Sequence, residues 1–222
     1  MMPPASVMKV VSVNVGLPRE VTWKGRKVMT GIFKEPVTKR VAIKRLNLVG
    51  DRQADLTVHG GLDKAIYAYP AEYYRYWHEQ FPEMTLPWGM FGENLTVEGL
   101  TEETVHIGDR FQIGSAEVVV TQPRLPCYKL GIKFGRDDIL KRFLKSGLTG
   151  FYFAVISEGE VAQGDAITLV SSDEHQVSVS AITRLYLQDK HNPEALLHAL
   201  EVKALPEGWR TYFLEQLAQT AS

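Results

Sequence analysis

The chain has 222 residues, 45% apolar and 23% charged, a balance that excludes a disordered or fibrous protein and suffices to enclose a core. Its 25 basic and 26 acidic side chains leave a net charge of −1, which argues against a dedicated nucleic-acid binder. The single cysteine, Cys127, forbids an internal disulfide, and no apolar run approaches the ~20 residues of a membrane span, so the expectation is a cytoplasmic protein held by packing.

The opening Met1-Met2-Pro3-Pro4 lacks a basic region followed by a long apolar stretch and is not read as a secretory signal. Alternation then predicts a strand over Val7–Val15, and Val21 to Val28 reads as a hairpin turning at Lys24-Gly25. Further strands are predicted at Val41–Leu48, Ala65–Tyr69, Asn94–Val97, Arg110–Ile113, Glu117–Thr121, Tyr152–Ile156 and Ala166–Val170. Two Gly-Asp pairs, Gly108-Asp109 and Gly164-Asp165, stand at matching places before short strands, as tight turns of a closed or nearly closed β-barrel do. Helices interrupt the strands at Pro70–Phe81 and from an Asp137 cap to Ser146, ended by Gly147. The aromatic row Tyr67, Tyr69, Tyr73, Tyr74, Tyr76 and Trp77 reads as helix-on-barrel packing rather than a base-stacking platform.

After the polar linker Ser171 to His175 the pattern turns helical, with Asn192-Pro193 as a strong helix start and a last helix opening near Pro206 or Gly208. The fold class is therefore mostly β, α+β: a barrel domain over 1–171 and a small three-helix subdomain over 172–222 packed against it.

Cys127 sits in Gln122-Pro123-Arg124-Leu125-Pro126-Cys127-Tyr128-Lys129, a loop stiffened by prolines and flanked by cations. A lone cysteine is often a small buried hydrophobe; beside Arg124 and Lys129 it is also a thiolate candidate, both nucleophile and soft metal ligand. Asp51 to Ala65 carries His59-Gly60-Gly61, where glycines let backbone N–H groups approach an anion and where Arg52, His59 and Lys64 add donors; an ordinary polar loop is the equal alternative. Thr30-Gly31-Ile32-Phe33-Lys34 reads as a phosphate-holding junction or as a plain bend, and Asn94 either presents its amide to a ring edge or completes a turn. Walker, Rossmann, nucleophile-elbow and His-Glu-x-x-His signatures are absent from the sequence.

In their order and spacing these motifs, with Gly92-Glu93-Asn94-Leu95-Thr96-Val97 and Gly159-x-Val161-x-x-Gly164-Asp165, resemble the MOSC-domain family, named for the C-terminal domain of molybdenum cofactor sulfurase, in its YiiM-like bacterial branch. The resemblance implies a barrel that holds the molybdenum cofactor, with Cys127 as catalytic residue and metal ligand. It further implies Thr30, Lys34, Arg52, His59, Asn94 and Arg124 as pocket lining toward the cofactor. Eukaryotic amidoxime-reducing relatives carry a cofactor-holding arginine where this chain has Gly92, so that task falls to Arg26, Arg52 or Arg124. The implied function is reduction of N-hydroxylated compounds such as hydroxylaminopurines or amidoximes. The chain has no flavin, haem or iron–sulfur motif, so electrons are expected from a separate reductase. The alternative implied by the sulfurase connection is a sulfur carrier or cofactor-handling protein with a persulfide on Cys127.

Overall fold

The structure is a computed structural model describing residues 8–54 and 60–220. Its strands are β1 (Lys9–Val15), β2 (Arg19–Trp23), β3 (Arg26–Thr30), β4 (Glu35–Val37), β5 (Val41–Lys44), β6 (Asn47–Leu48), β7 (Ile66–Pro70), β8 (Leu95–Glu98), β9 (Arg110–Ile113), β10 (Ala116–Pro123), β11 (Phe151–Ser157), β12 (Gly159–Val161) and β13 (Ile167–Ser171). The helices are α1 (Glu72–Gln80), α2 (Tyr128–Phe134), α3 (Ile139–Ser146), α4 (Val179–Leu187), α5 (Pro193–Glu201) and α6 (Glu207–Thr220).

Eight strands form one sheet in the order β13-β9-β10-β11-β7-β8-β1-β4, antiparallel except for the β7–β8 pair. The sheet curls until its β13 end meets β1, the strand beside the β4 edge. Lys9 bridges Ala166, Val10 N donates to Asp165 O at 2.9 Å, and Ile167 N donates to Met8 O at 2.9 Å. An isolated bridge replaces a continuous ladder there, so the barrel is nearly, not fully, closed. The two Gly-Asp turns are built alike, as their sequences suggested. Asp109 Oδ2 accepts from His106 N, and Asp165 Oδ2 accepts from Ala162 N, both at 2.9 Å.

Alternation places Val10, Val13, Val97, Val118, Val120 and Phe153 inside the barrel. The same core continues into Val179, Ile182, Leu196 and Phe213 of the C-terminal helices, which pack on the barrel as expected. Their starts are capped by side chains: Ser178 Oγ accepts from Ala181 N, and Asn192 Oδ1 accepts from Ala195 N, with Pro193 at the first helical position. A second core gathers Tyr67, Tyr69, Tyr74, Trp77, Phe91 and Phe143 with Tyr73 packed against it, so the aromatic row is packing except at Tyr76, which is exposed. Trp77 Nε1 donates to Tyr69 Oη at 2.6 Å, which satisfies the one polar atom the indole buries.

Four expectations are corrected. The run Val41–Leu48 is not one strand but the hairpin β5–β6, because Glu158 receives Arg45 N at 2.9 Å and pairs with Lys44 at 3.0 Å, fixing a turn. The helix cap is Asp138, not Asp137; its carboxylate is taken by Arg136 and Arg142, while Asp137 pairs with Lys24 at 2.6 Å. The bend after Lys34 contains strand β4, where Pro36 is tolerated on the edge of the sheet. Tyr128–Phe134, read as loop, is helix α2 and buries Leu130, Ile132 and Phe134. Val7 and His59 lie outside the described residues. Among the described residues no helix is long and apolar enough to cross a membrane.

Candidate functional site

Loops from four parts of the chain converge at one end of the barrel. Strand β3 ends at Thr30 and delivers Gly31, Ile32 and Lys34; the segment after β6 delivers Asp51 and Arg52. A Cβ on Gly31 would lie 2.4 Å from Arg52 O, so the two loops approach as closely as only glycine permits.

Asp51 is the buried hub of this arrangement. One carboxylate oxygen accepts from Gly16 N at 3.0 Å and pairs with Lys34 Nζ; the other accepts from Asn94 Nδ2 at 2.9 Å. Asn94 Oδ1 in turn accepts from Tyr67 N at 3.1 Å, which fixes the amide orientation. Burial pulls the Lys34 ammonium below its usual range, and the Asp51 carboxylate opposes that. Lys34 and Asn94 therefore line the cavity but spend polar atoms on shaping it. Thr30 is buried beside them, its hydroxyl oxygen accepting from Ile32 N at 3.2 Å.

Arg124 is different. Strand β10 carries it into the interior, its backbone N donates to Gly150 O at 3.1 Å, and its guanidinium lies 5.0 Å over Tyr67 and 5.4 Å over Phe143. Nη1 is buried with no hydrogen-bond partner, and no carboxylate among the described residues forms an ion pair with this side chain. The unpaired buried Nη1 is a donor that suits an anion; burial disfavours the guanidinium charge, while Tyr67, Tyr152 and Cys127 support it. Tyr67 and Tyr152 flank it. Burial pushes both phenols up, so both stay protonated despite the nearby guanidinium.

Cys127 stands at the N-cap of α2 in extended backbone, half-buried. One cavity is lined by Thr30, Lys34, Arg52, Asn94, Arg124 and Cys127 together. These are the residues singled out from the sequence, except His59, which lies outside the described residues. Arg26 is exposed and does not reach the cavity, which leaves Arg52 and Arg124 as its arginines. Gly92 explains the missing arginine: it has φ +82, and a Cβ there would lie 2.9 Å from Ile32 Cγ1. Lys129, Tyr67 and Tyr152 also line the cavity, beyond the sequence-based set. The signal for Lys129 was its place two residues after Cys127; the tyrosines carried none beyond strand alternation.

Residues 55–168 match the MOSC domain family model, and residues 177–220 match the YiiM-like, 3-alpha helix domain. The chain belongs to the MOSC-domain family. It is 45% identical over 207 residues to Uncharacterized protein YflK of Bacillus subtilis, covering 93% of each chain. It is also similar to the crystal structure of YiiM from Geobacillus stearothermophilus, with a TM-score of 0.80, 37% identity, and coverage of 95% of this chain and 99% of that one. A more distant relative, named Reductase, from Gibberella moniliformis is 31% identical over 164 residues, which is 72% of this chain but 29% of that protein. MOSC domains are associated with binding of the molybdenum cofactor.

The residues present fit such a group. Arg124 offers an orphaned buried donor, Arg52 and Lys129 line the same cavity, and Cys127 offers a soft sulfur ligand at its border.

Proposed function

We propose that this chain is a molybdenum-cofactor-dependent reductase of N-hydroxylated compounds, supplied with electrons by a separate reductase. The observation that carries this reading is the placement of Cys127 on a cavity whose buried Arg124 leaves Nη1 without a hydrogen-bond partner and pairs with no carboxylate among the described residues. The relative named Reductase supports the reaction class.

When bound, the cofactor supplies two-electron redox chemistry at molybdenum, able to take oxygen from an N–OH group. The protein's part is binding, orientation and field. Cys127 Sγ would hold the metal, and Arg124 and Arg52 would hold the anionic portion of the cofactor. Asp51 keeps Lys34 and Asn94 fixed, so the cavity is shaped before the ligand arrives. The protonated Tyr67 and Tyr152 form a wall that excludes water without adding negative charge. The net reaction consumes two electrons and two protons per N–OH and releases the amine-type product and water.

The test is molybdenum and pterin content of wild type, Cys127→Ala and Arg124→Ala from a cofactor-proficient host, with turnover of 6-hydroxylaminopurine by reduced methyl viologen. Wild type should carry both and turn over; Cys127→Ala should lose the metal and Arg124→Ala the pterin. Wild type devoid of both, with added sulfur on Cys127 by mass spectrometry, would replace this reading with the sulfur-carrier one.

A further inference from the structure

A second hollow begins at Cys127 and runs between the barrel and the C-terminal helices. It shares Gly60, Lys64, Leu125, Cys127 and Tyr152 with the cationic cavity, so Cys127 stands on the border of two unlike spaces. One side carries Lys34, Arg52, Arg124 and Lys129. The far wall of the other is Pro206, Gly208 and three rings, Tyr186, Trp209 and Tyr212.

The rings are fixed before any ligand arrives. Trp209 is buried and its Nε1 donates to Gln122 Oε1 at 3.0 Å, while Gln122 Nε2 donates to Asp63 O at 3.2 Å. That chain ties α6 to β10 and to the turn at Leu62–Lys64, and it occupies both ends of the Gln122 amide. Tyr186 packs 5.5 Å from Trp209 and 5.3 Å from Tyr212, centroid to centroid. Tyr186 is still 37% exposed, so it is not consumed by the core. Glu207, Asp63 and Lys64 also line the groove, so its rim is charged, while the preordered rings, with Trp209 Nε1 and the Gln122 amide already paired, favour a planar ring.

We infer that this groove is the substrate subsite, and that the C-terminal helices set specificity by receiving the planar ring of an aromatic N-hydroxylated substrate on Tyr186, Trp209 and Tyr212. Its N–OH end then faces the border at Cys127. The inference rests on the reductase reading above and assigns the three-helix subdomain a role in choosing substrates. Gly208 provides a clean probe. It lies in the first turn of α6 on the groove lining, and a Cβ there meets nothing within 4 Å. Gly208→Phe therefore adds a ring at the groove lining with no clash at its Cβ, and it improves helix propensity.

Cofactor-loaded wild type, Gly208→Phe and Tyr212→Ala are assayed with 6-hydroxylaminopurine and with acetamidoxime, which is too small to reach the aromatic wall. Gly208→Phe should raise KM for the purine roughly tenfold, the scale of a lost base-stacking contact, with acetamidoxime kcat/KM held within about twofold. Tyr212→Ala should raise the purine KM in the same direction by less. Metal content should match wild type in both variants, and Tm should match it in Gly208→Phe, while Tyr212→Ala, which loses ring packing, should melt lower. An unmoved purine KM in Gly208→Phe, or equal losses on both substrates, overturns the inference. Should the loaded wild type reduce neither compound, the reductase reading fails by itself. Saturation-transfer NMR of adenine with the cofactor-free protein then decides the groove. Signal lost in Gly208→Phe supports it; signal equal in both proteins, or absent from wild type, removes it.

Discussion

Asn94 donates its amide to Asp51 at 2.9 Å across 43 residues of sequence, and this bond turns two loops into one wall of the cavity. The other Asp51 oxygen holds the buried Lys34, so a single carboxylate compensates a cation and orients an amide.

Removing that carboxylate leaves Lys34 buried and uncompensated. Asp51→Ala should lower stability by about 3–5 kcal/mol, whereas Lys34→Met with Asp51→Ala together should recover part of the loss. Urea titrations of the single and double variants check this. Additive losses would show that the pair does not act as a unit.

Arg124 is a buried cation of another kind, held by rings and a phenol rather than by a carboxylate among the described residues. Arg124→Met removes the contacts with Tyr67, Phe143 and Tyr152, so the cofactor-free protein should lose about 1 kcal/mol, seen as a lower Tm. The same variant should purify with less pterin than wild type. A raised Tm in the cofactor-free protein would mean that the desolvation cost of the cation outweighs those contacts.

The close approach at Gly31 predicts a local steric cost. Gly31→Ala would set a Cβ 2.4 Å from Arg52 O, so the 51–54 segment must move, at about 1–3 kcal/mol. Loss of cofactor retention should accompany the lowered Tm, since Arg52 moves with that segment. Retention equal to wild type would show that Arg52 is not needed to hold the ligand.

Glu93 carries a pH prediction. It is buried and accepts from Tyr74 Oη, Gly89 N, Phe91 N and Thr96 Oγ1. Burial pushes its carboxyl above the ordinary 4.5, against the pull of those donors. The fold thus favours the protonated form. Its stabilising contribution is complete below the unfolded value and is lost as pH rises through the higher folded one. Glu93→Gln cannot titrate, so the stability advantage of wild type over the variant should be largest below pH 4.5 and shrink as pH rises above it. A gap that widens with pH would contradict a raised carboxyl.

Local chemistry made much of the barrel legible: alternation in β1 and β10, the turn at Lys24-Gly25, the paired Gly-Asp turns, and the Asn192-Pro193 cap. The gathering of Thr30, Lys34, Arg52, Asn94, Arg124 and Cys127 was legible only through the order of motifs that resemble a family. What stayed hidden were relations set by distant partners. Lys34 finds Asp51 17 residues away and Asn94 finds it 43 away, so neither commitment shows in a window of sequence. Helix α2 escaped because seven residues, with Gly131 among them, give too short a period to read. The Val41–Leu48 hairpin escaped because its turn is held by Glu158, more than 110 residues on.

The seam where Lys9 meets Ala166 sets an order of events during synthesis. The first described strand waits for its last barrel neighbour, and Trp209 must arrive later still to meet Gln122. Until then Arg124 sits in an unfinished shell, open to water that can solvate it. The cavity therefore closes only after the C-terminal helices have docked, and a resident ligand is enclosed late in folding rather than wrapped as the barrel strands emerge.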